Sequence, residues 1–193
     1  MRLFRTPDHR QAFADRYAGA KVLDLGCGKK KTVGAVGVDS MNFPGVDVVH
    51  NLNSFPYPFS EGSFDAVILN HVIEHLDSVV DTVKEIHRVL KKGGEVWLVT
   101  PHFTDCHSWI DPTHKSHLSI GSFSVFCRPE SELFEEKLAY VTLKGRWKTV
   151  GYEYFINTFG KGGAAVSKYA KKWEERHCFN RRGGEMFFIL KKI

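Results

Sequence analysis

The chain has 193 residues, of which 42% are hydrophobic and 13% aromatic, so it can bury a sizeable core as one domain. Its charged residues, 25% of the total, are mixed along the chain, which excludes wholesale disorder. No apolar run approaches the roughly 18–20 residues that cross a bilayer, so we expect no membrane span. Four scattered cysteines and an N-terminus without an apolar signal core favour a cytoplasmic protein with reduced thiols.

The net charge is +5, from 27 basic and 22 acidic side chains. This balance favours anionic partners but does not require nucleic acid. The basic residues form short clusters, which we expect to lie on solvated faces. The sequence contains no internal repeat, low-complexity tract or linker, and we therefore predict a single domain over residues 1–193.

The first half of the chain has short apolar runs separated by turn-forming residues. A helix is predicted over residues 7–18, because Thr6 suits the N-cap and Pro7 suits the first helical position. Four buried strands are predicted to follow, at 21–25, 36–39, 46–49 and 64–69. Continuous apolar strands joined by short crossovers are typical of a mostly parallel sheet in an α/β fold.

The apolar period changes after the fourth strand. Apolar residues recur at helical spacing from Val79 to Leu90, and the predicted helix ends before Gly93. A fifth strand is predicted at 95–100. In the less regular second half we predict strands at 139–150, 152–157 and 186–190 and an amphipathic helix over 163–178.

The most informative motif is a glycine turn followed by an acidic residue. Gly26 and Gly28 end the first strand, and Asp39 ends the second. A glycine turn at the carboxyl end of a strand lets a ligand approach the backbone closely, and an acidic residue after the next strand can bind both hydroxyls of a ribose. Together these features predict a nucleoside site.

Four ordered blocks of the sequence resemble a known family. They are LDLGCG, GVD, FPYPFSEGSFDAVILNHVIEHL and EIHRVLKKGGEVWLVTP, and together they cover roughly residues 20–101. In this order they resemble the successive motifs of class I S-adenosylmethionine (SAM)-dependent methyltransferases, in the methyltransferase type 11-like group. The resemblance implies a Rossmann-like, seven-stranded, mostly parallel sheet with an antiparallel last strand, helices on both faces, and SAM as the cofactor.

The resemblance also implies which residues bind the cofactor. Those implied for the methionine part of SAM are Asp24, Gly26, Cys27 and Gly28. Those implied for the ribose and the adenine are Asp39, then Ser40, Met41, Asn51 and Leu52. Asn70 and His71 would border the methyl-donor pocket.

One feature departs from the family pattern, because a third glycine and a full helix are missing after Gly28. Only ten residues, 29–38, separate Gly28 from Asp39, whereas a parallel crossover usually needs a dozen or more. We therefore predict a short turn or a stunted helix, with the lysines at 29–31 as candidates to hold the SAM carboxylate. The dinucleotide pattern G-x-G-x-x-G fails because Lys31 occupies its last position.

The segment from His71 to His75 matches H-x-x-E-H, the signature of inverted zinc proteases. That site needs a long helix carrying both histidines, whereas this segment follows directly on the fourth strand. We therefore expect no zinc site here and interpret His75 and Leu76 as residues that dock the following helix. For His71, a role in the pocket and a role in packing both stay open.

A polar, histidine-rich stretch follows the fifth strand, and we predict a substrate-side insertion at about 101–131. Three interpretations stay open: a pocket in which a His or Asp takes a proton from the methyl acceptor, a metal site, or a structural loop. The metal site would use His102, His107, Asp111, His114 and His117. We favour the pocket, without a metal, and expect catalytic roles for His114 and Asp111 first, then for His102 and His117.

We therefore predict a SAM-dependent methyltransferase (EC 2.1.1.-) that acts on a small-molecule or glycan-type acceptor. One alternative is an RNA methyltransferase, which the basic segments at 168–182 and 191–192 favour. Another is a binding or scaffold protein that keeps the fold without activity, which the short crossover favours.

Overall fold

A computed structural model describes residues 9–127, 138–149, 152–159, 174–176, 178 and 182–193. The strands are β1 (Val22–Leu25), β2 (Ala35–Asp39), β3 (Val48–Val49), β4 (Phe64–Asn70), β5 (Leu90–Pro101), β6 (Leu138–Thr149), β7 (Tyr152–Phe159) and β8 (Arg182–Lys192). Among the described residues are the α-helices α1 (His9–Arg16), α2 (Val79–Val89) and α3 (His107–Ile110). Residues Ile73–His75 and Ser124–Cys127 form 3-10 turns.

The eight strands form one sheet in the order β3-β2-β1-β4-β5-β8-β6-β7. β1 to β5 run parallel, and β8 runs antiparallel to both of its neighbours, β5 and β6. The predicted class is confirmed: a mostly parallel, Rossmann-like sheet whose last strand is antiparallel. The sheet has eight strands rather than the seven that the resemblance implied, because β7 adds an antiparallel strand at the edge, beside β6.

Apolar side chains alternate between the two faces of the sheet, as strands buried on both sides require. On one face, Leu25 and Val67 pack with Ile86 of α2 in the larger core. On the other face, Phe13 of α1 packs against Trp97, with ring centroids 5.5 Å apart. Helices therefore cover both faces of the parallel part of the sheet, as predicted.

The crossover from β1 to β2 consists of turns and contains no helix. The amides of Gly26 and Cys27 both donate to the carbonyl of Val38, at 2.8 and 3.0 Å, which folds the turn back onto β2. Lys31 Nζ bonds to Asp47 Oδ2 at 2.7 Å, and its alkyl stem packs on the backbone of β2. The predicted short turn is confirmed, and it joins two parallel strands without a helix.

The helix that follows β4 has its predicted place, although the strand after it is longer than predicted. α2 begins after Ser78, whose side chain accepts a hydrogen bond from the Asp81 amide at 3.1 Å. The strand predicted at 95–100 begins earlier, at Leu90, directly after α2. The helix and the strand therefore meet without an intervening loop.

Two predicted helices fall partly outside the described residues. Thr6 and Pro7, the predicted start of α1, lie outside them, as does the predicted helix over 163–178 except at 174–176 and 178. Residues 174–176 are helical. In the part of the chain that the structure describes, no helix has the length and apolarity needed to cross a membrane.

Candidate active site

The carboxyl ends of β1, β2, β4 and β5 meet at one edge of the sheet, where open α/β folds bind their ligands. Two regions lie at this edge: the glycine turn after β1 and a cavity beyond β4 and β5. They lie close together, because a Cβ placed on Gly26 would lie 2.4 Å from Val72 Cγ2, and His71, the residue before Val72, lines the cavity. Val72 follows Asn70 and His71, the two residues predicted to border the methyl-donor pocket.

Asp39 closes the glycine turn at the end of β2. Its Oδ2 accepts a hydrogen bond from the Gly28 amide at 2.9 Å, and its Oδ1 accepts one from the Met41 amide at 3.0 Å. A carboxylate has about four lone-pair sites, so both oxygens can accept a second donor. Gly28 has a φ of +55° and no atom within 4 Å of a Cβ position, which leaves room against its backbone. The arrangement suits a vicinal diol such as a ribose.

Asp24 is completely buried on the α1 face of the sheet. Its Oδ2 accepts from the Arg10 guanidinium and, at 2.8 Å, from the Thr32 amide, whereas its Oδ1 has no partner among the described residues. Burial raises the pKa of Asp24, and the hydrogen bonds and charge of Arg10 and Thr32 oppose that rise. Asp24 therefore keeps one buried acceptor free beside the glycine turn.

Cys27 is a packing residue of the glycine turn. It is 1% exposed, and burial, together with the nearby carboxylates of Asp24 and Asp39, raises the pKa of its thiol to about 11. The thiol is therefore protonated at neutral pH and does not act as a nucleophile.

Of the lysines suggested for a cofactor carboxylate, Lys31 already has its charge balanced by Asp47.

The four residues implied beside an adenine differ in their accessibility. Ser40 and Met41 follow β2 and are exposed, Met41 to 58%. Asn51 is exposed, and its Oδ1 accepts a hydrogen bond from the Asn53 amide at 3.0 Å. Leu52 is buried in the larger core. Three of the four side chains can therefore reach a ligand directly, whereas Leu52 can support the site only by packing.

His71 follows β4 in the left-handed conformation, with a φ of +55°. Its Nε2 donates to Glu185 Oε2 at 2.9 Å, and its Nδ1 donates to Glu74 Oε1 at 3.3 Å. Burial lowers the pKa of His71, but the hydrogen bonds to Glu185 and Glu74 outweigh burial and raise that pKa to about 9. His71 both packs against two carboxylates and lines the cavity, while Asn70 is half-buried beside it.

Glu185 on β8 joins His71 to α1. Its Oε1 lies 2.9 Å from His9 Nε2, and its Oε2 lies 2.9 Å from His71 Nε2. Burial favours the neutral acid, but the hydrogen bonds from the two histidines outweigh it and lower the pKa of Glu185 from 4.5 to about 2. A carboxyl whose pKa falls on folding stabilises the fold above its ordinary pKa, and that contribution is lost as the pH falls through the folded pKa.

We expect Glu185→Gln to lower the free energy of unfolding by about 2 kcal/mol at pH 7, because two charged hydrogen bonds are lost. The difference from the unmutated chain should shrink as the pH falls from 4.5 toward about 2. Urea unfolding at a series of pH values measures it. The exposed Glu61→Gln is the matched control and should change by less than about 0.5 kcal/mol. A deficit of Glu185→Gln that stays constant down to pH 3 would contradict this assignment.

A cavity of about 340 Å³ opens beyond the carboxyl ends of β4 and β5. Its polar lining consists of His71, Glu74, His75, His107, Asp111 and His114. The structure therefore brings His114 and Asp111, the first two predicted catalytic residues, to the same cavity.

A larger cavity, about 600 Å³, lies at the opposite edge of the sheet, between α2 and the end of β8.

Asp111 and His114 differ in their hydrogen bonds at this cavity. His114 Nδ1 donates to the Ser108 carbonyl at 3.0 Å, so its Nε2 carries the lone pair. Asp111 Oδ1 accepts from the amide and the hydroxyl of Thr113, at 2.9 and 2.7 Å. Asp111 thus holds the turn that precedes His114, and His114 offers the acceptor atom.

His102 and His117, also predicted to be catalytic, do not line this cavity. His102 is completely buried, with Nε2 2.8 Å from Glu174 Oε1 and Nδ1 2.8 Å from Thr104 Oγ1. The His117 ring stacks on Trp109, with centroids 3.6 Å apart. Both side chains therefore have partners within the fold, whereas His114 and Asp111 of the same segment line the cavity.

Two residues of the cavity were not predicted from the sequence. His75, interpreted as a docking residue, lines the cavity, whereas Leu76 is buried in the core as expected. Glu74 is only 1% exposed, although its short 3-10 turn gives no apolar period that would indicate burial. The H-x-x-E-H spacing after β4 was the signal that marked both residues.

Sequence comparisons with known proteins match the first half of the chain or a similar share of it. Residues 23–98 match the family described as "Methyltransferase domain", a range that includes every residue predicted to bind the cofactor. A Mycolicibacterium smegmatis protein named "Probable S-adenosylmethionine-dependent methyltransferase" is 34% identical over 110 residues, 48% of this chain and 42% of that protein. The ubiquinone biosynthesis O-methyltransferase of Pseudomonas aeruginosa is 30% identical over 104 residues, 43% of this chain and 45% of that enzyme. The matches thus span less than half the length of either relative.

The likeness to solved structures extends over nearly the whole chain. A SAM-dependent methyltransferase from Archaeoglobus fulgidus superposes with a TM-score of 0.54, covering 94% of this chain and 92% of that one. The two sequences are 18% identical over this superposition. At that identity the likeness shows a shared fold, while acceptor and activity have to be argued from the site.

Proposed function

Because residues 23–98 belong to the class I SAM-dependent methyltransferase family, we propose that the chain transfers a methyl group from SAM to a small-molecule or glycan-type acceptor. The closeness of the glycine turn to the cavity carries this proposal. Gly26 packs on Val72, directly beside His71, which lines the cavity. A cofactor on the turn and an acceptor in the cavity would therefore be neighbours, as direct methyl transfer requires.

The residues of the turn fit SAM. Asp39 retains a lone pair on each oxygen for the ribose hydroxyls, and Gly28 leaves open space beside its backbone. Asp24 Oδ1, a buried acceptor without a partner among the described residues, suits the ammonium of the methionine part. Arg10, which binds Asp24, suits its carboxylate and would replace the missing helix N-terminus. When bound, SAM supplies a methyl group already activated by a positive sulfur.

The chain's own contribution is orientation and proton removal. Holding two reactants in line can supply on the order of 7–11 kcal/mol of the barrier. For a hydroxyl acceptor, His114 Nε2 is positioned to take the proton that methylation displaces, because its Nδ1 is already committed to Ser108. Asp111 is a positioning residue, since its Oδ1 accepts from both the amide and the hydroxyl of Thr113 and so fixes the turn before His114.

The size of the cavity favours a small acceptor over nucleic acid. A volume of about 340 Å³ lies at the lower end of the usual range for small-molecule sites, roughly 300–1,000 Å³. Lys192, one of the basic residues that suggested RNA, donates to the carbonyls of His87 and Leu90 at 2.8 and 2.9 Å. Its ammonium is thus tied to the fold rather than offered to a phosphate. Most of the basic segment 168–182 lies outside the described residues.

The test is transfer of label from methyl-labelled SAM into fractionated acceptor pools. We expect label in a small hydroxylated or oligosaccharide fraction, with an equal amount of S-adenosylhomocysteine formed. Label recovered in RNA would overturn the acceptor class and favour the RNA alternative. A folded chain that binds SAM without turnover on any fraction would favour the scaffold alternative.

A further inference from the structure

We propose that Glu74, His75 and His114 bind a divalent transition-metal ion at the wall of the cavity. A ligand atom from each residue lies within 4.8 Å of the ligand atoms of the other two. The two imidazole rings meet edge to face, with centroids 4.5 Å apart. Two imidazoles and one carboxylate are the donor set of catalytic zinc and non-haem iron sites.

Glu74 supplies the first argument, because its carboxylate is incompletely satisfied. The side chain is 1% exposed, and Oε2 has no hydrogen-bond partner among the described residues. Its other oxygen has only a long contact, 3.3 Å, from His71 Nδ1. A buried carboxylate oxygen without a partner is costly, and a cation would satisfy it.

The second argument is that the hydrogen bonds of His75 and His114 leave the same ring nitrogen, Nε2, as the metal-binding atom in both imidazoles. Thr113 Oγ1 donates to Asp111 Oδ1 at 2.7 Å, so it accepts the hydrogen of His75 Nδ1, 2.9 Å away. His114 Nδ1 donates to the Ser108 carbonyl. Both rings therefore carry their lone pair on Nε2. A histidine that binds a metal typically donates its other ring N–H in this way, to a carbonyl or to a group held by a carboxylate.

The third argument is that the backbone holds these residues together. The carbonyl of Glu74 accepts from the amides of Lys115 and Ser116 at 2.7 and 3.1 Å. These two residues directly follow His114, so the insertion is fastened to the 3-10 turn at the ligand positions. The set is distinct from the H-x-x-E-H arrangement, because His71 is bonded to Glu185 and His114 takes its place.

The ion would have open coordination positions beside the cavity. Three protein ligands leave at least one position for an oxygen or nitrogen of another molecule. Resting on the proposed function, we infer that this position takes the acceptor oxygen and lowers the pKa of its hydroxyl. The lone pair of His114 Nε2 would then bind the ion, and the proton of the ion-bound hydroxyl would pass to solvent water instead of to His114. Metal binding thus decides which of these two roles His114 has.

The test is titration of the chelator-treated full chain with Zn²⁺, and with Co²⁺ as a spectroscopic probe. We expect one equivalent of the metal ion to bind to the unmutated chain. We expect Glu74→Gln and His114→Ala each to weaken the binding of the ion by about 100-fold or more. Thr113→Val, which frees the His75 Nδ1 hydrogen without touching the ion, should weaken it by about 10-fold or more. His50→Ala is the matched control outside the cavity and should bind normally. Circular dichroism establishes that each variant is folded.

Two outcomes for the variants would overturn the site. One is Zn²⁺ affinity unchanged in Glu74→Gln and His114→Ala. The other is a thiolate charge-transfer band with Co²⁺ that His107→Ala abolishes, which would place the ion on the neighbouring Asp105, Cys106 and His107. Titration with SAM is carried out on the same samples. Metal binding without SAM binding would support the metal site and refute the proposed function. SAM binding without metal binding would refute the metal site alone.

Discussion

Asp39→Ala is expected to weaken the binding of SAM and of S-adenosylhomocysteine by at least about 30-fold. The reason is that a carboxylate accepting two ribose hydroxyls contributes charge-assisted hydrogen bonds worth about 2–3 kcal/mol in total. Its oxygens also accept from the Gly28 and Met41 amides, so the loss loosens the glycine turn against which the nucleoside would lie. Isothermal calorimetry measures the change.

Asp47→Ala is the matched control for this experiment. Asp47 also accepts from a backbone amide, that of Gly37 at 2.7 Å, and also binds a neighbouring side chain, Lys31. It precedes β3 and is not among the predicted cofactor residues. We expect its removal to leave the affinity for SAM within about twofold. Equal losses in the two variants would mean that the effect is on the fold of the crossover and not on a ribose contact.

Arg10→Met is expected to lower the free energy of unfolding by about 3–5 kcal/mol. The substitution leaves the carboxylate of Asp24 completely buried without its counter-charge. Since a domain of this size is stable by about 5–15 kcal/mol, the loss is a large share of the total. Arg16→Met is the matched control on the same helix. Its partner is Glu95 at 3.0 Å and its side chain is 48% exposed, so it should cost about 0–1 kcal/mol.

The double variant Arg10→Met with Asp24→Asn separates charge from packing. Removing both charges should cost less than the sum of the two single losses, because no unpaired charge remains buried. Urea unfolding of the four species completes the cycle. Strict additivity would show that Arg10 stabilises the chain through its alkyl stem alone and does not neutralise Asp24.

The sequence allowed β1 to β5, the glycine turn and the position of Asp39 at the end of β2 to be predicted, because each depends on residues close together in the chain. Apolar runs indicate buried strands, and glycines at the carboxyl end of β1 have φ values of +66° and +55° that other residues rarely adopt. The pairing of Arg10 with Asp24 and of Glu185 with His71 could not be predicted. Nothing local marks one charged residue as the partner of another that is far away in the chain.

The segment after β5 contains both residues whose position could be predicted from the sequence and residues whose position could not. Asp111 and His114 belong to one local turn, which Thr113 holds to Asp111, so the position of these two residues at one cavity could be predicted together. His102 was predicted for the same reason, but it is buried against Glu174, 72 residues away. The residue type indicates that a histidine side chain needs a polar partner. The topology of the fold decides whether that partner is a bound ligand or another residue of the chain.

The most direct test of a cofactor site at the glycine turn is calorimetric titration of the unmutated chain with SAM and with S-adenosylhomocysteine. We predict one site for each, with micromolar affinity and mutual competition, because the proposed nucleoside site, made of the glycine turn and Asp39, does not depend on a crossover helix. No binding by a chain shown to be folded would contradict this account. It would mean that the short crossover has removed the cofactor site and that the domain serves as a scaffold.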